Sequence, residues 1–368
     1  MPSNVDLYYI HLFNDFSGSP RVLRDGIDSE ITSFDNTYIF TSRHKGFLDD
    51  VDGHRINCFY SRSNNRYIQL FYYLLSQILL FFQLFFYLCV SRLRGHKVTV
   101  VVNTMLPFSA VLAGKILGAR VISYVHETHI QPPLLKQFLR FFIEHCSHHV
   151  IFVSKYLQTA EFFSKPIQSV IYNGLRSDFP LIEKIDVNSK FENKILLFAG
   201  SLKDYKGIEQ LFEVAVRLPE FKIVAALNCT ETELKIFIKG RDLPKNVQVL
   251  SRPENIQGYF QRSFAVLNLS LPDGWIETFG LSLIEGMAYG SPVVAPPVGG
   301  PTEFVNSSNG YLVDARCTDE IVDFLRYLNS SLDVWILFSE QAFLTSKKFR
   351  NSIYKSSFKS YFERYNLN

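Results

Sequence analysis

Residues Leu269–Val294 read L-S-L-P-D-G-W-I-E-T-F-G-L-S-L-I-E-G-M-A-Y-G-S-P-V-V. An apolar strand, Ala265 to Leu269, enters a loop carrying Pro272, Asp273 and Gly274. The loop feeds a helix from about Gly280 to Tyr289, which Gly290 and Pro292 stop. The first N–H groups of a helix lack partners within it, so those near Phe279, Gly280 and Leu281 face whatever lies before the loop. Such an end suits an anion, most commonly phosphate. Glu277 and Glu285 bracket this start, and Glu285 shares a helical stripe with Ser282, Gly286 and Tyr289. Glu285 reads either as part of a solvated face or as a ligand contact. Ser282 and Gly286 favour the second, because a glycine in mid-helix costs roughly 1 kcal/mol relative to alanine and small side chains admit a ligand. Glu277 reads equally as an ordinary helix-entry acid favoured by the dipole.

Extended through Gly299-Gly300-Pro301-Thr302-Glu303 and Asn309-Gly310-Tyr311-Leu312-Val313, the string closely resembles the donor-site signature of the family 4 retaining glycosyltransferases. The resemblance implies an α/β fold of the GT-B class, two Rossmann-like domains facing a central cleft. It also implies that Glu277 contacts hydroxyls of a donor sugar and that Glu285 holds the nucleotide ribose. Thr278, Phe279, Gly280 and Leu281 would then meet sugar and diphosphate. Gly200-Ser201-Leu202-Lys203-Asp204-Tyr205-Lys206-Gly207 resembles the family's G-R-L-x-x-x-K-G, whose Arg and Lys neutralise the diphosphate. Lys206 matches the Lys, whereas Ser201 stands where Arg is usual, with Lys203 and Arg252 as candidate substitutes. Gly18-Ser19 resembles, in shortened form, the family's glycine-rich first loop, with a plain turn as the alternative. His126, at the end of the strand Arg120 to Val125, sits where open α/β sheets place ligand contacts. The resemblance brings it to the donor sugar and the reacting centre.

A chain of 368 residues exceeds the usual growth of one hydrophobic core, so two domains are expected. Their bounds are read as 1–178 for an acceptor-binding domain, 179–193 for a polar linker and 194–350 for a nucleotide-sugar-binding domain. A last helix, 351–368, crosses back to the first domain. Five scattered cysteines without a C-x-x-C read as free thiols in a reducing compartment. Met1 to Asp6 is polar and carries no signal-like segment, so a cytoplasmic protein is expected. A net charge of +3 is too small to argue for nucleic acid.

Three strings imitate metal sites. Asp50-Val51-Asp52 has D-x-D spacing but reads as a polar loop, since the signature above implies no metal. His126-Glu127-Thr128-His129 is one residue short of H-E-x-x-H. His145 and His149 are four apart, yet no distant Cys or His pair completes a site, and a helix end with favourable histidines is the alternative. Neither cofactor nor metal is expected.

Tyr67 to Val90 holds no charged residue and is flanked by Arg66, Arg92 and Arg94. Its length would allow it to cross a bilayer. Spanning would place the strands on either side of it in different compartments, although one sheet needs both. Gln69, Ser76, Gln77 and Gln83 form a weakly polar stripe beside a broad Phe/Tyr/Leu face. The helix therefore either rests its aromatic face on a membrane surface or is wholly buried against the sheet. Together these readings point to transfer of a sugar from a nucleoside diphosphate sugar to a hydroxyl of a lipid-linked saccharide, in surface-polysaccharide assembly at the cytoplasmic membrane face. The alternatives are a nucleotide-sugar epimerase on the same fold and a non-catalytic binding subunit.

Overall fold

The computed structural model describes residues 4–30, 36–180, 182 and 184–365. The remaining residues of the expected domains, and Leu181 and Glu183 of the expected linker, lie outside the described residues. Two compact units emerge, Met1–Arg176 with Asn351–Asn368, and Ser177–Arg350.

The first unit carries one parallel sheet of β1 (Val5–His11), β2 (Asn36–Ser42), β3 (His54–Cys58), β4 (Lys97–Asn103), β5 (Arg120–Val125), β6 (His149–Phe152) and β7 (Ile167–Val170), ordered β3-β2-β1-β4-β5-β6-β7. Helices α1 (Gly18–Glu30), α2 (Arg66–Leu93), α3 (Phe108–Ile116), α4 (Pro133–Cys146) and α5 (Lys155–Ala160) connect them. Runs such as Val98–Val102 are apolar at nearly every position because helices cover both faces of a parallel sheet. The strand order reverses between β1 and β4, which makes a topological switch point at their C-terminal ends. β7 ends at Val170. The ladder with β6 begins directly after Pro166, where the Ile167 N–H donates to His148 O at 3.0 Å.

α2 neither crosses the sheet plane nor hides. Its flanking strands β3 and β4 belong to one sheet, so it lies along that sheet's face. Tyr73, Leu80, Leu84 and Leu88 are buried, while Phe71, Ile78, Phe82 and Phe86 are 61%, 56%, 66% and 65% exposed. The expected polar stripe faces the protein. Gln77 Oε1 accepts from Ser109 Oγ at 3.0 Å, Gln69 Oε1 accepts from the Ser63 N–H at 2.8 Å, and Gln83 Nε2 donates to Asn57 O at 3.2 Å.

In the second unit α6 (Val187–Asn193) precedes a parallel sheet of β8 (Ile195–Ser201), β9 (Lys222–Asn228), β10 (Val247–Ser251), β11 (Ser263–Leu267), β12 (Val293–Ala295) and β13 (Gly310–Leu312), ordered β10-β9-β8-β11-β12-β13. Its other helices are α7 (Ile208–Arg217), α8 (Glu231–Ile238), α9 (Ile256–Arg262), α10 (Leu281–Ala288), α11 (Thr318–Leu328) and α12 (Leu332–Ser346). Here the switch point falls between β8 and β11. The stretch expected as a strandless linker belongs partly to this unit's core. Lys190 on α6 is buried, and its ammonium donates to Phe260 O, Gln261 O and Ser291 Oγ at 3.1, 3.1 and 3.0 Å. It thereby satisfies carbonyls at the C-terminus of α9, where a cation is favoured. The last helix, α13 (Asn351–Arg364), packs in the first unit. It buries Tyr354, Phe358, Tyr361 and Phe362, and the Tyr354 hydroxyl donates to Val22 O of α1 at 3.1 Å.

Candidate active site

The loops after β8 and β11 rise side by side at the switch point of the second unit. A tight loop follows β8 and ends at Gly207, whose φ is +78°. A β-carbon there would lie 2.1 Å from Leu269 O, so only glycine lets the two loops touch. Lys206 is thus delivered to the β11 loop. Its ammonium lies 2.9 Å from Glu277 Oε2 and 3.3 Å from Ser270 Oγ, and 5.8 Å above the Trp275 ring. Asn268 Nδ2 donates to the same carboxylate at 3.1 Å, and Asn268 Oδ1 accepts from the Ser270 hydroxyl at 2.7 Å. Burial alone would raise the Glu277 pKa. The Lys206 charge, hydrogen bonds from Lys206 and Asn268, and the Gly280 N–H outweigh it and hold the carboxyl below its ordinary value. Glu277 is therefore an ionised acceptor.

Gly280 caps α10 at φ +97°, and no side chain caps that helix. Gly299 and Gly300 support the turn from behind. A β-carbon on Gly299 would meet Glu277 O at 2.2 Å, and the Gly300 N–H donates to that oxygen at 2.9 Å. Thr278 is buried here, and Phe279 packs its ring among Phe304 and Phe349, so Phe279 can offer a ligand only its backbone. Leu281 and Ser282 open the helix half-exposed, with half-buried Glu285 one turn on. Gly286 corrects the idea of a small-residue face open to a ligand. A β-carbon there would sit 2.5 Å from Val266 Cγ2, so this glycine serves helix-to-strand packing. Gly200 and Ser201 end β8 in register with Leu227 and Asn228. Arg252, in the left-handed region at φ +38°, donates from Nε to Asn228 Oδ1 at 2.7 Å. A guanidinium is thus anchored on the residue that pairs with Ser201, and Arg252 and Lys203 are both exposed.

The first unit gathers polar groups at its own switch point. His126 follows β5 and donates from Nε2 to Asn103 Oδ1 at 2.7 Å. Asn103, the last residue of β4, bonds His11 Nδ1 and Ser19 O, both at 3.1 Å. His126 and the Gly18-Ser19 turn at the start of α1 therefore share one network. Burial, then the neighbouring His11, depress His126 to about 3, which keeps it neutral. Burial pushes Glu127 up to about 7, against hydrogen bonds from the Met105 and His126 N–H groups. Sequence patterning alone does not single out Asn103, Asn268 and Ser270. Their signal is an asparagine closing an apolar strand in each unit, T-V-V-V-N and F-A-V-L-N, on the strand at the switch point. Asp50 and Asp52 lie exposed before β3.

Residues 182–331 match the family described as Glycosyl transferases group 1, a span within the second unit. An uncharacterised glycosyltransferase of Haemophilus influenzae is 28% identical over 170 residues, 44% of this chain and 46% of that protein. The chain thus spans less than half the length of that relative. Among solved structures, HepE of Anabaena in complex with UDP and glucose superposes with a TM-score of 0.78 at 17% identity, covering 97% of this chain and 99% of that one. The lipopolysaccharide outer core galactosyltransferase WaaB superposes with a TM-score of 0.67 at 16% identity, covering 96% and 98%. The fold is that of the GT-B glycosyltransferases.

Proposed function

We propose that the chain is a metal-independent retaining glycosyltransferase of the family 4 type. It moves a hexose from a nucleoside diphosphate sugar to a hydroxyl of a lipid-linked saccharide in cell-surface polysaccharide assembly, such as O-antigen, capsule or exopolysaccharide. The observation that carries this is the Lys206–Glu277 pair at the switch point, in front of the uncapped start of α10. UDP in the HepE structure makes a UDP-sugar the first donor to try.

The barrier to transfer is departure of a diphosphate from an oxocarbenium-like carbon, so charge on the leaving phosphates must be stabilised. The Lys206 ammonium has three protons, and Glu277 and Ser270 take two. The third, with the first N–H groups of α10, meets the diphosphate, and Arg252 supplies the second cation in place of an Arg at Ser201. Glu277, held ionised, accepts sugar hydroxyls, while Glu285 binds the ribose diol. In this proposal the leaving phosphate takes the acceptor proton on the same face of the sugar. Retaining glycosidases instead use two carboxyl groups about 5 Å apart. The outward aromatic face of α2 rests on the cytoplasmic membrane surface and brings the enzyme to a lipid-linked acceptor. Five free thiols agree with a reducing compartment.

The test is incubation with labelled UDP-sugars and a bacterial lipid extract, with and without EDTA, followed by magnetic resonance of the product's anomeric centre. An EDTA-insensitive glycoside of retained configuration is expected. An epimerised nucleotide sugar, an inverted glycoside or binding without turnover would overturn the proposal.

A further inference from the structure

The string Glu144-His145-Cys146-Ser147-His148-His149 takes no part in the site above. It ends α4 and opens β6, and five of its six residues line a cleft of about 660 Å³ together with Lys115, Arg120, Lys165 and Tyr365. Arg120, His149 and Ile167 are the first residues of β5, β6 and β7, so the cleft lies at the N-terminal edge of the sheet. The length of β5, roughly 20 Å, separates it from His126.

Its charge is unbalanced. Lys115, Arg120 and Lys165 bring three permanent cations and the histidines three ring systems. Among the described residues that line it, the one carboxylate, Glu144, is already occupied by the Ser164 N–H, the Ser164 hydroxyl and the Lys165 N–H at 3.0, 2.6 and 3.0 Å. His148 Nδ1 accepts the Val121 N–H at 3.1 Å, which leaves its proton on Nε2. His145 Nδ1 donates to Phe141 O at 2.9 Å. His149 is 6% exposed, and its Nδ1 has no hydrogen-bond partner. Such a set opposes a metal ion, because two of the ring nitrogens are spent on backbone and the surrounding cations repel it. A buried polar atom without a partner calls for a ligand of opposite character.

We propose that this cleft binds a phosphoryl group, as free phosphate or as the headgroup of an anionic phospholipid. A phosphoryl group carries roughly one to two negative charges at neutral pH and takes charge-assisted hydrogen bonds from Lys, Arg and imidazole N–H groups. The cations act on the rings beside them: burial, then Lys115 and Arg120, lower His148, and burial, then His148 and Arg120, hold His149 at about 4. A lipid source is open because Phe141, 56% exposed, stacks on His145 with ring centroids 4.4 Å apart and continues an outward stripe through Phe138 and Leu134. The cleft's occupancy does not depend on the proposed transfer reaction.

The test is a histidine proton-resonance titration of the full chain with and without inorganic phosphate. Sedimentation with phosphatidylcholine vesicles, plain or doped with phosphatidic acid, accompanies it. Lys115→Gln/Lys165→Gln is the variant, since both side chains are exposed and outside the cores. Phosphate is expected to raise the His148 and His149 titrations by about one pH unit or more. Its affinity should fall about tenfold or more in the double variant. A lipid source shows itself as acid-dependent vesicle binding that the double variant loses while inorganic phosphate leaves the histidines unmoved. No response to either probe, or a response unchanged in the double variant, overturns the site. A nucleotide-induced thermal shift retained by the double variant shows that the chain is folded and keeps this outcome distinct from failure of the donor site.

Discussion

Lys206 and Glu277 hold each other in place before any donor arrives, so neither can be removed quietly. Lys206→Ala leaves a largely buried carboxylate without its cation. A loss of about 2 kcal/mol is expected in denaturant unfolding, less than a fully buried pair would show because both side chains keep some exposure. Lys206→Met/Glu277→Gln should recover most of that stability while transfer stays absent. The pH dependence has a fixed sign. The folded state holds Glu277 below its ordinary 4.5, so its contribution is present above that value and is lost as pH falls through the folded value. Unfolding free energies measured from neutral to acid pH should fall less steeply in Glu277→Gln than in the wild type. At Gly207 both the positive φ and the approach of Leu269 O oppose a side chain. Gly207→Ala should cost more than about 1 kcal/mol and lower nucleotide affinity, read from melting temperature and calorimetry.

Among the elements, α2 separates two roles along one helix. Its inner face is conventional core, and Leu84→Ala should cost about 2–5 kcal/mol, because Leu84 is fully buried. Its outer face should behave in the opposite way. Phe82→Glu leaves the melting temperature nearly unchanged but weakens sedimentation with anionic vesicles. Equal vesicle binding by Phe82→Glu and wild type would remove the membrane role. The sequence pattern showed a polar stripe and an apolar face without showing which looked inward. Periodicity measures asymmetry, whereas direction depends on the polar partners that β1, β3 and α3 offer, such as Ser109 for Gln77. α6 misleads for a related reason. Lys190 marks a solvated segment in most contexts, yet here the unpaired carbonyls of α9 draw its ammonium into the core. The sequence offers ligand approach as the reason for Gly286, and only the position of Val266 shows that this glycine serves strand packing.

At the scale of the whole molecule, two sheets of similar strand order arise because β1 and β8 each start a doubly wound sheet whose buried strands read as unbroken apolar runs. Leu7–Ile10, Val98–Val102 and Leu196–Phe198 are legible for that reason. The ends of those strands are less so, because Asn103 and Asn268 gain meaning only once strand order places them at a switch point. α13 returns to the first unit and buries four aromatic side chains there. Ending the chain at Arg350 should therefore destabilise the first unit while nucleotide affinity changes less than about twofold, since Lys206, Glu277, Glu285 and the start of α10 all lie within Ser177–Arg350. That claim, a diphosphate site made by Lys206 and the start of α10, is tested most directly by calorimetric titration of the wild type, Lys206→Ala and Glu285→Ala with UDP and with uridine. The wild type should bind UDP and hold uridine at least tenfold more weakly, Lys206→Ala should lose that preference, and Glu285→Ala should weaken both ligands. UDP binding unchanged in Lys206→Ala would contradict it.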